Sequence, residues 1–423
     1  MTKVAILLLV LSSLWILGGL VAIVRVTRSG SRRGSPRPVQ SCPGISVLKP
    51  LCAESGLEEN LSSLFEQHYP DFELIFGVQD PHDPAVGAVS RLRARYPTVP
   101  CRLVVCSDPH ALNPKVRSLL AMVADARHDL VLVSDANIRA PRTYLSELVD
   151  TWSRDARIGL VTNLFTGAAE RSVGGALEAV QLCGFCASGT ALPTLLGDSL
   201  VVGKSMFFSR RVCERLGGLE RVASVLAEDF VMGKMFQHAG YRVVLAPTVL
   251  TQALGAVTLR GFWRRHLRWA TLRWRLRPAA PFLELLVTPL ALLPIVYAGL
   301  GPPGLLGLLA LLIVRDVGGW VLLRGWSGVH LPVLLGLLRD ACMLAVWTIA
   351  PFRRHVRWHE HRVRLGAGTL LYRQEPAPSG PGGRTTRWAG FGVRQSAAVP
   401  RTCAARLVVC TGVACPASCV PNT

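Results

Sequence analysis

Hydrophobic positions are concentrated towards the two ends of the chain, and an alternating pattern lies between them. The first apolar run covers residues 4–24, which are 21 residues without a charge. A helix of this length crosses a hydrocarbon core of about 30 Å, so the pattern predicts a transmembrane anchor over residues 1–24. A cleavable signal peptide is the alternative, because Lys3 precedes the run. The run is longer than a typical signal-peptide core and no small-residue cleavage site follows it, which favours the anchor.

The segment after this run is strongly basic. Residues 25–43 contain five Arg, and no acidic residue occurs before Glu54. Positive charge beside a membrane helix is typical of the cytoplasmic side. We therefore predict a basic linker over residues 25–43 and a cytoplasmic location for the chain that follows it.

Residues 44–256 alternate between short apolar strands and segments of helical period. Strands separated by helices predict an α/β domain with a mostly parallel sheet, which binds ligands at the carboxyl ends of its strands. No dinucleotide-binding or P-loop glycine motif occurs in the right context. The predicted helices cover residues 57–67, 84–96, 115–126 and 141–155. The predicted strands are ISVLKPL, FELIFGVQD, CRLVVCSD, DLVLVSDAN, IGLVTNL and YRVVLAP.

A second apolar region, residues 281–350, contains three candidate spans at 282–300, 304–323 and 331–350. The last two each contain an adjacent Arg-Asp pair, which is costly inside a membrane unless the charges are paired. The segment at 351–375 is basic and favours the cytoplasm, whereas three full crossings would place it outside. We therefore expect one run to be re-entrant, interfacial or fused with its neighbour, and the Pro-rich first run is the candidate.

Composition narrows the possible functions. The chain has 423 residues, 50% of them hydrophobic, and a net charge of +20. This excludes a disordered chain and indicates a phosphorylated ligand or an anionic membrane surface. The twelve Cys have irregular spacing, which is typical of a reducing compartment. Residues 376–423 are rich in Gly, Pro, Ser and Arg and are predicted to be disordered.

Two polar residues near predicted strand ends are candidates for nucleotide binding. Asp80 follows a strand and can accept a hydrogen bond from a uracil N–H or a ribose hydroxyl. An Asp that starts a turn before Pro81 is the alternative. Lys115 follows Asn113-Pro114 at the start of a helix, where it can reach a diphosphate. A solvated surface Lys is an equally good interpretation of that triplet.

The strand LVLVS ends in Asp135-Ala-Asn137. Both side chains can converge beyond the sheet edge, and hard divalent cations take such oxygen ligands together with phosphates. An Asx turn that closes the strand is the alternative. The pair is therefore a candidate site for a divalent metal.

Asp229 follows Glu228 at the start of an amphipathic stretch. Acidic residues there can cap a helix, or a carboxylate can act as a general base towards an acceptor hydroxyl. Further on, Arg265, Arg268 and Trp269 share one helical face, because they are three or four residues apart. Arg binds phosphate oxygens bidentately and Trp offers a flat wall to a sugar. A basic amphipathic helix over residues 257–280, lying on anionic headgroups, is compatible with this.

Taken in order, these motifs resemble the inverting, membrane-bound GT-A glycosyltransferases with the D, D, D, (Q/R)XXRW signature. Within that group they are most similar to the ceramide glucosyltransferase family. The resemblance covers roughly residues 45–370. It is carried by SVLKPL, VQDPHDP, LNPKV, AEDF, RHLRW and VRWHEHRVRLGAGTL.

The resemblance implies a GT-A (nucleotide-diphospho-sugar transferase) α/β domain with transmembrane helices at both ends. It implies transfer of glucose from UDP-glucose to the primary hydroxyl of ceramide by an inverting displacement, with Mn²⁺ or Mg²⁺ as cofactor. Transfer to another membrane lipid, such as a hopanoid or diacylglycerol, and a catalytically inactive lipid-binding scaffold are the alternatives.

The family roles are carried over residue by residue. Asp229 is the base. Asp135 and Asn137 hold the metal, although a strict D-x-D motif would have a second Asp. Residues 182–189 lack the His that animal members have there. The resemblance assigns nucleotide-sugar binding to Asp80, Lys115, Asp135, Arg265, Arg268 and Trp269.

Overall fold

The computed structural model describes residues 1–30, 42–51, 56–106, 111–198, 200–358 and 361–372. The predicted tail at 376–423 and most of the predicted linker at 25–43 lie outside these ranges. The first apolar run forms one long helix, α1 (Thr2–Arg28), whose exposed positions are mainly Leu and Val. By length and composition it is one of three helices among the described residues that are able to cross a membrane.

An eight-stranded sheet forms the centre of the middle region. Its order is β3-β2-β1-β4-β7-β6-β8-β5. The first four strands in that order are mutually parallel, β6 pairs in parallel with β8, and β7 and β5 are antiparallel to their neighbours. The predicted α/β class with a mostly parallel sheet is confirmed. The strands are β1 (Ile45–Pro50), β2 (Phe72–Val78), β3 (Cys101–Val105), β4 (Leu130–Ser134), β5 (Ile138–Arg139), β6 (Ile158–Glu170), β7 (Ser205–Ser209) and β8 (Arg242–Gly255).

Helices cover both faces of this sheet, and the alternating side chains of its strands supply two apolar cores. On β1, Val47 faces one core and Leu48 faces the other, and both are fully buried. Four of the helices agree with the predicted ones to within a few residues. These are α2 (Leu57–Phe65), α3 (Ala85–Arg95), α4 (Pro114–Asp125) and α5 (Tyr144–Trp152).

Several elements of this domain were not predicted. A continuous helical stretch consists of α6 (Val173–Gln181), a π-helical turn (Leu182–Cys186) and α7 (Ala187–Leu195). Every residue of α6 from Gly174 to Gln181 is buried, so the stretch lacks the polar face on which a periodicity argument depends. Two shorter helices follow β7. The first, α8 (Arg210–Arg215), was not predicted, whereas α9 (Glu228–His238) begins at the amphipathic stretch where the sequence allowed a helix capped by acidic residues.

The C-terminal part begins with α10 (Leu259–Leu276), where the Thr258 hydroxyl caps the helix by accepting from Gly261 N. The first predicted span is a broken helix, bent by 68° between residues 280–287 and 289–300. The elements that follow α10 are α11 (Ala280–Glu284), α12 (Pro289–Leu300), α13 (Pro302–Arg324), α14 (His330–Ile349), β9 (His355–Trp358), β10 (His361–Leu365) and β11 (Leu371–Tyr372).

The four charged residues inside α13 and α14 form one buried network. Arg315 binds Asp316 at 2.8 Å and Asp340 at 3.0 Å, and Arg339 binds the same two carboxylates at 2.5 and 3.0 Å. Arg315 also donates to the carbonyl of Val287, at the bend of the broken helix. The charges are therefore paired, as their cost in a membrane requires.

Contacts between the apolar helices define their relative directions. Thr2 donates to the carbonyl of Gly299 at 2.9 Å, so α12 ends beside the start of α1. Close approaches join α13 to α1 at two levels, Gly307 with Leu9 and Gly318 with Leu20, so these two helices run in parallel.

Helix α14 differs, because both of its ends meet the sheet domain and its adjoining helices. Near its start, Leu331 packs against the core cluster that contains Trp320 and the sheet residues. Near its end, Val346 packs against Leu267 and Ala270 of α10. Its other face exposes large apolar residues, namely Val333, Leu334, Leu337, Leu338 and Ile349.

Candidate active site

The predicted site residues follow strands that end at the same edge of the sheet. Pro50 of β1 pairs with Gly77 of β2, and Leu48 pairs with Val133 of β4, so the carboxyl ends of these parallel strands are aligned. Asp135 follows β4 directly. The sheet thus brings the predicted chemistry to the edge where ligands bind in this fold class.

Two lysines bind the two carboxylate oxygens of Asp135. Lys115 Nζ lies 2.9 Å from Oδ1, and Lys204 Nζ lies 3.1 Å from Oδ2. Burial alone would raise the pKa of Asp135, but the two ammonium groups outweigh it and hold that pKa well below its usual range. Burial likewise opposes the charge on Lys115, yet Asp135 and Glu228 raise its pKa, so both groups stay charged.

Lys204 was not singled out from the sequence. It precedes β7, and the antiparallel register that pairs Ser134 with Ser205 places it opposite Asp135. Its Nζ also donates to Asn137 Oδ1 at 2.9 Å. The short strand SMFFS gave no clear signal. The Gly203-Lys204-Ser205 triplet, which runs into this strand, was the available clue.

Asp135 and Asn137 converge as predicted, but they converge on the Lys204 ammonium. In the parts of the chain that the structure describes, no group of three or more His, Cys, Asp or Glu is placed to hold a metal ion. One carboxylate and one amide oxygen, both bound to Lys204, fit an ammonium group. They do not fit a divalent cation unless that side chain moves.

Lys115 is held at the start of α4 rather than on the solvated surface. Asn113 caps this helix, because its Oδ1 accepts from the backbone N–H groups of Lys115 at 2.9 Å and Val116 at 3.1 Å. Lys115 Nζ also contacts Glu228 Oε1 at 3.0 Å and donates to the carbonyl of Gly203 at 2.9 Å. It thereby joins three segments of the site.

The acidic pair at the start of α9 divides into two roles. Glu228 is buried against Lys115, and burial raises the pKa of its carboxyl while Lys115 opposes that rise. Asp229 is half-buried, and its Oδ2 accepts from Gly203 N at 2.7 Å. Its Oδ1 accepts from Phe230 N, also at 2.7 Å. These backbone bonds fix the direction of the Asp229 carboxylate.

Gly203 stands between the two functional groups of this cluster. A Cβ at this position would lie 2.8 Å from Lys115 Nζ and 3.0 Å from Asp229 Oδ2. A side chain here would shift the Lys115 ammonium or the Asp229 carboxylate from its present position, so glycine leaves space for both groups.

The two arginines predicted to bind the diphosphate have different surroundings. Arg265 pairs at 3.0 Å with Glu178, a fully buried residue of α6, and His266 contacts the same carboxylate at 3.1 Å. Burial would raise the pKa of Glu178, but His266 and Arg265 lower it to about 2. Sequence reasoning missed Glu178 because nothing in the unpatterned α6 stretch marks it.

Arg268 faces the cluster and has no ion pair among the described residues. Burial and the neighbouring Arg265 lower its pKa, whereas Glu228 and Asp135 act in the opposite direction. An anion placed against Arg268 would relieve this imbalance. Trp269 packs with its ring edge-on to that of His266, with centroids 5.3 Å apart.

Asp80 lies exposed beyond β2, and its Oδ1 accepts from His82 N at 2.8 Å, which is the turn that the sequence offered as an alternative. The neighbouring Gln79 donates to the carbonyl of Pro114 at 2.8 Å. The turn therefore lies beside the start of α4, but in the described part of the chain Asp80 makes no hydrogen bond or ion pair with Lys115, Asp135 or Lys204.

Comparisons with known proteins support one family. Ceramide glucosyltransferase 1 of Caenorhabditis elegans is 27% identical over 246 residues, which are 57% of this chain and 52% of that protein. A ceramide glucosyltransferase of Komagataella phaffii is 31% identical over 148 residues, covering 34% and 29%. The chain spans about half the length, or less, of the curated relatives that it matches.

Among solved structures, the chain is similar to a mannosyltransferase from Pyrobaculum calidifontis in complex with GDP-Man and Mn²⁺, with a sequence identity of 21% and a TM-score of 0.46. The match covers 82% of this chain and 98% of the mannosyltransferase chain. The profile of glycosyl transferase family 21 matches residues 9–371, which include the predicted site residues from Asp80 to Trp269. The chain therefore belongs to glycosyl transferase family 21.

Proposed function

We propose that the protein transfers glucose from UDP-glucose to the primary hydroxyl of ceramide and produces a β-linked glycolipid. The observation that carries this proposal is the strand-end cluster in which Lys115, Asp135 and Asp229 converge, with Arg268 facing them. Family membership and the names of the relatives support the reaction class and both substrates.

The donor binds with its diphosphate between α4 and α10. Lys115 lies at a helix N-terminus, which favours anions, and Arg268 supplies a bidentate donor from the opposite side. Asp80 lies at the rim of this site. If its carboxylate turned towards the donor, it would accept a hydrogen bond from the uracil or the ribose. Arg265 is paired with Glu178, so it orients α10 and leaves the direct contact to Arg268.

The chemical step is a single displacement. The acceptor oxygen attacks C1 of glucose as the bond between C1 and the β-phosphate oxygen breaks, and the bonding electrons leave with UDP. Asp229 takes the hydroxyl proton, because its carboxylate is held by backbone bonds at the site. A Mn²⁺ or Mg²⁺ ion at Asp135 and Asn137, which the resemblance implies, would have to displace Lys204 from both oxygens.

The acceptor enters from the bilayer beside α10. A small cavity there lies between α6, α10, the broken helix and α14, and its lining includes Gln181, Phe185, Arg273, Thr288 and Trp347. Gln181 Oε1 is buried in this region without a hydrogen-bond partner. An amide oxygen in this state is suited to accept from a polar lipid headgroup.

In this proposal the chain crosses the membrane at α1, at the broken helix and at α13, although α14 is also long and apolar enough to cross. Helix α14 lies at the interface, because both of its ends pack against the sheet domain or α10, while its exposed face is apolar. Arg25 and Arg28 at the end of α1, and Arg353 and Arg354 after α14, then lie on the cytoplasmic side together with the catalytic domain. This proposal places α14 at the interface, whereas the sequence favoured the first run, which forms the helix pair bent by 68°.

The test is UDP release by the purified protein in lipid nanodiscs supplied with UDP-glucose, with and without ceramide. We expect ceramide-dependent release that is absent in Asp229→Asn, while that variant still binds UDP. Release with a hopanoid or diacylglycerol instead would keep the mechanism and replace the acceptor. No UDP release with any lipid or sugar nucleotide would favour the alternative of a catalytically inactive scaffold.

A further inference from the structure

We propose that Lys204 takes the place of a divalent metal in this active site, so that the charge of the leaving UDP is stabilised by an ammonium group of the chain itself. This inference rests on the proposed function, because it assigns a role in glucosyl transfer from a nucleoside diphosphate sugar.

The first support is where Lys204 lies. Its Nζ is 3.1 Å from Asp135 Oδ2 and 2.9 Å from Asn137 Oδ1, the two side chains whose spacing predicts a metal site. The antiparallel pairing of β7 with β4 fixes this position, and Asp135 N donates to the carbonyl of Lys204 at 3.4 Å. The ammonium therefore occupies the point between the two oxygen donors.

A rigid polar network supports β7 directly after Lys204. The hydroxyl of Ser205 contacts the Tyr144 hydroxyl and Asn163 Oδ1, each at 2.7 Å, and all three residues are buried. Thr162 donates to the Ser205 carbonyl at 2.7 Å. The backbone that presents Lys204 is thus held by the core of the domain, and its side chain is 13% exposed.

The local charge is also right for a diphosphate. One carboxylate with one divalent cation carries a net charge of +1. Asp135 with the ammonium groups of Lys115 and Lys204, both of which contact it directly, also carries a net charge of +1 before the Glu228 carboxylate on Lys115 is counted. Arg268, which faces this cluster, supplies the positive charge that offsets Glu228. A divalent ion added to this arrangement would meet two positive groups within contact distance of its own ligand, which Coulomb repulsion opposes.

Counting donors identifies Lys204 as the lysine with a free N–H. An ammonium group has three donors. Lys115 uses all three on Asp135, Glu228 and the carbonyl of Gly203, so it acts on the diphosphate through its charge and not through a free N–H. Lys204 has two partners among the described residues, Asp135 and Asn137, which leaves one N–H for a phosphate oxygen.

The role in the reaction follows. When the bond between C1 and the β-phosphate oxygen breaks, its electron pair stays on that oxygen and the diphosphate gains one negative charge. A fixed ammonium group stabilises this charge without reorganisation, and the acceptor proton passes to Asp229. No metal ion enters this balance.

The test compares the wild type with Lys204→Met and Lys204→Arg. UDP binding is measured by calorimetry in EDTA, Mn²⁺ binding to the protein alone by electron paramagnetic resonance, and UDP release with and without metal. Arg211→Met is the matched control, because Arg211 lies just past the other end of β7 and its side chain is 77% exposed.

We expect the wild type to bind UDP and to turn over in EDTA, and to bind no Mn²⁺ at micromolar concentration. Lys204→Met should bind UDP about 10- to 100-fold more weakly in EDTA, as expected for loss of a charged hydrogen bond. Added Mn²⁺ should restore part of its affinity. Lys204→Arg should keep more affinity than Lys204→Met, and Arg211→Met should match the wild type.

Tight Mn²⁺ binding by the wild type, or UDP affinity in EDTA that is unchanged in Lys204→Met, would overturn the inference. The two binding readouts do not depend on the acceptor. If no lipid supports UDP release, the proposed function fails, and UDP and Mn²⁺ binding still decide the role of Lys204.

Discussion

Removing the charge of Glu178 tests how α10, the helix that carries the RHLRW motif, is held in place. Glu178 has no exposed surface and contacts both Arg265 and His266. Glu178→Gln keeps the shape of the side chain but leaves Arg265 without its counter-charge. Breaking a buried ion pair by removing one partner costs about 3–5 kcal/mol. For a unit of roughly 150–250 residues, the size of the predicted catalytic domain, 3 kcal/mol corresponds to a fall in Tm of roughly 6–12 °C.

The assay is thermal unfolding in detergent, followed by tryptophan fluorescence, together with the KM for UDP-glucose. We expect a lower Tm and a higher KM, because Arg268 is carried by the same helix turn as Arg265. Glu214→Gln is the matched control, since its side chain is 64% exposed in a pair separated by 3.8 Å. Such exposed pairs contribute about 0–1 kcal/mol. A Tm and KM equal to those of the wild type in Glu178→Gln would refute the positioning role.

The same interaction has a defined pH dependence. The pKa of Glu178 is lowered from 4.5 to about 2 in the folded protein. A lowered carboxyl pKa contributes stability above the unfolded value, and this stability is lost as the pH falls through the folded value. The Glu178 contribution to Tm should therefore be constant above about pH 5 and decline between about pH 4.5 and 2. A Tm difference between wild type and Glu178→Gln that does not shrink as the pH falls from about 4.5 to 2 would contradict this assignment.

Three further substitutions test separate parts of the account. Gly203→Ala should reduce UDP release at least about tenfold, because the added methyl group displaces Lys115 or Asp229. Release at the wild-type rate would show that the cluster tolerates this displacement. Arg268→Lys should reduce kcat/KM for UDP-glucose at least about tenfold despite keeping the charge, because the bidentate fork is lost; unchanged kinetics would remove the diphosphate contact. Arg315→Met leaves Arg339 as the one cation of this network against two buried carboxylates, so we expect little monodisperse protein in size-exclusion chromatography. A normal yield and peak would show that Arg315 is dispensable.

The sequence allowed prediction of strands that are buried on both faces and therefore form continuous apolar runs, and of helices that are buried on one face. β1, β2 and β4 were visible because their apolar runs end in polar residues, and the same feature identified Asp135. The helix that carries Arg265 and Arg268 was visible because charged and aromatic residues recur at helical spacing. In these cases the local pattern and the tertiary environment impose the same requirement.

The structural features that the sequence did not reveal depend on contacts between distant segments of the chain. The α6 stretch is buried on all sides, so no periodicity marks it as a helix or marks Glu178 as a functional residue. Lys204 becomes part of the site only through the antiparallel pairing of β7 with β4, which connects residues 70 or so positions apart in the chain. Strand pairing of this kind is not encoded in any single segment.

The two arginines illustrate the same limit. Spacing places Arg265 and Arg268 on one helical face, and it cannot distinguish the one that meets a buried carboxylate from the one that faces the cluster. Only the position of α6 makes that distinction, because it brings Glu178 to Arg265.

The most direct test of the central claim is the structure of the product. Wild-type protein and Asp229→Asn are incubated with UDP-glucose and ceramide, and the anomeric proton of any glycolipid is observed by nuclear magnetic resonance. The account predicts a β-linked glucosyl ceramide from the wild type and none from Asp229→Asn, although both bind UDP. An α-linked product, or equal amounts of product from both proteins, would contradict it.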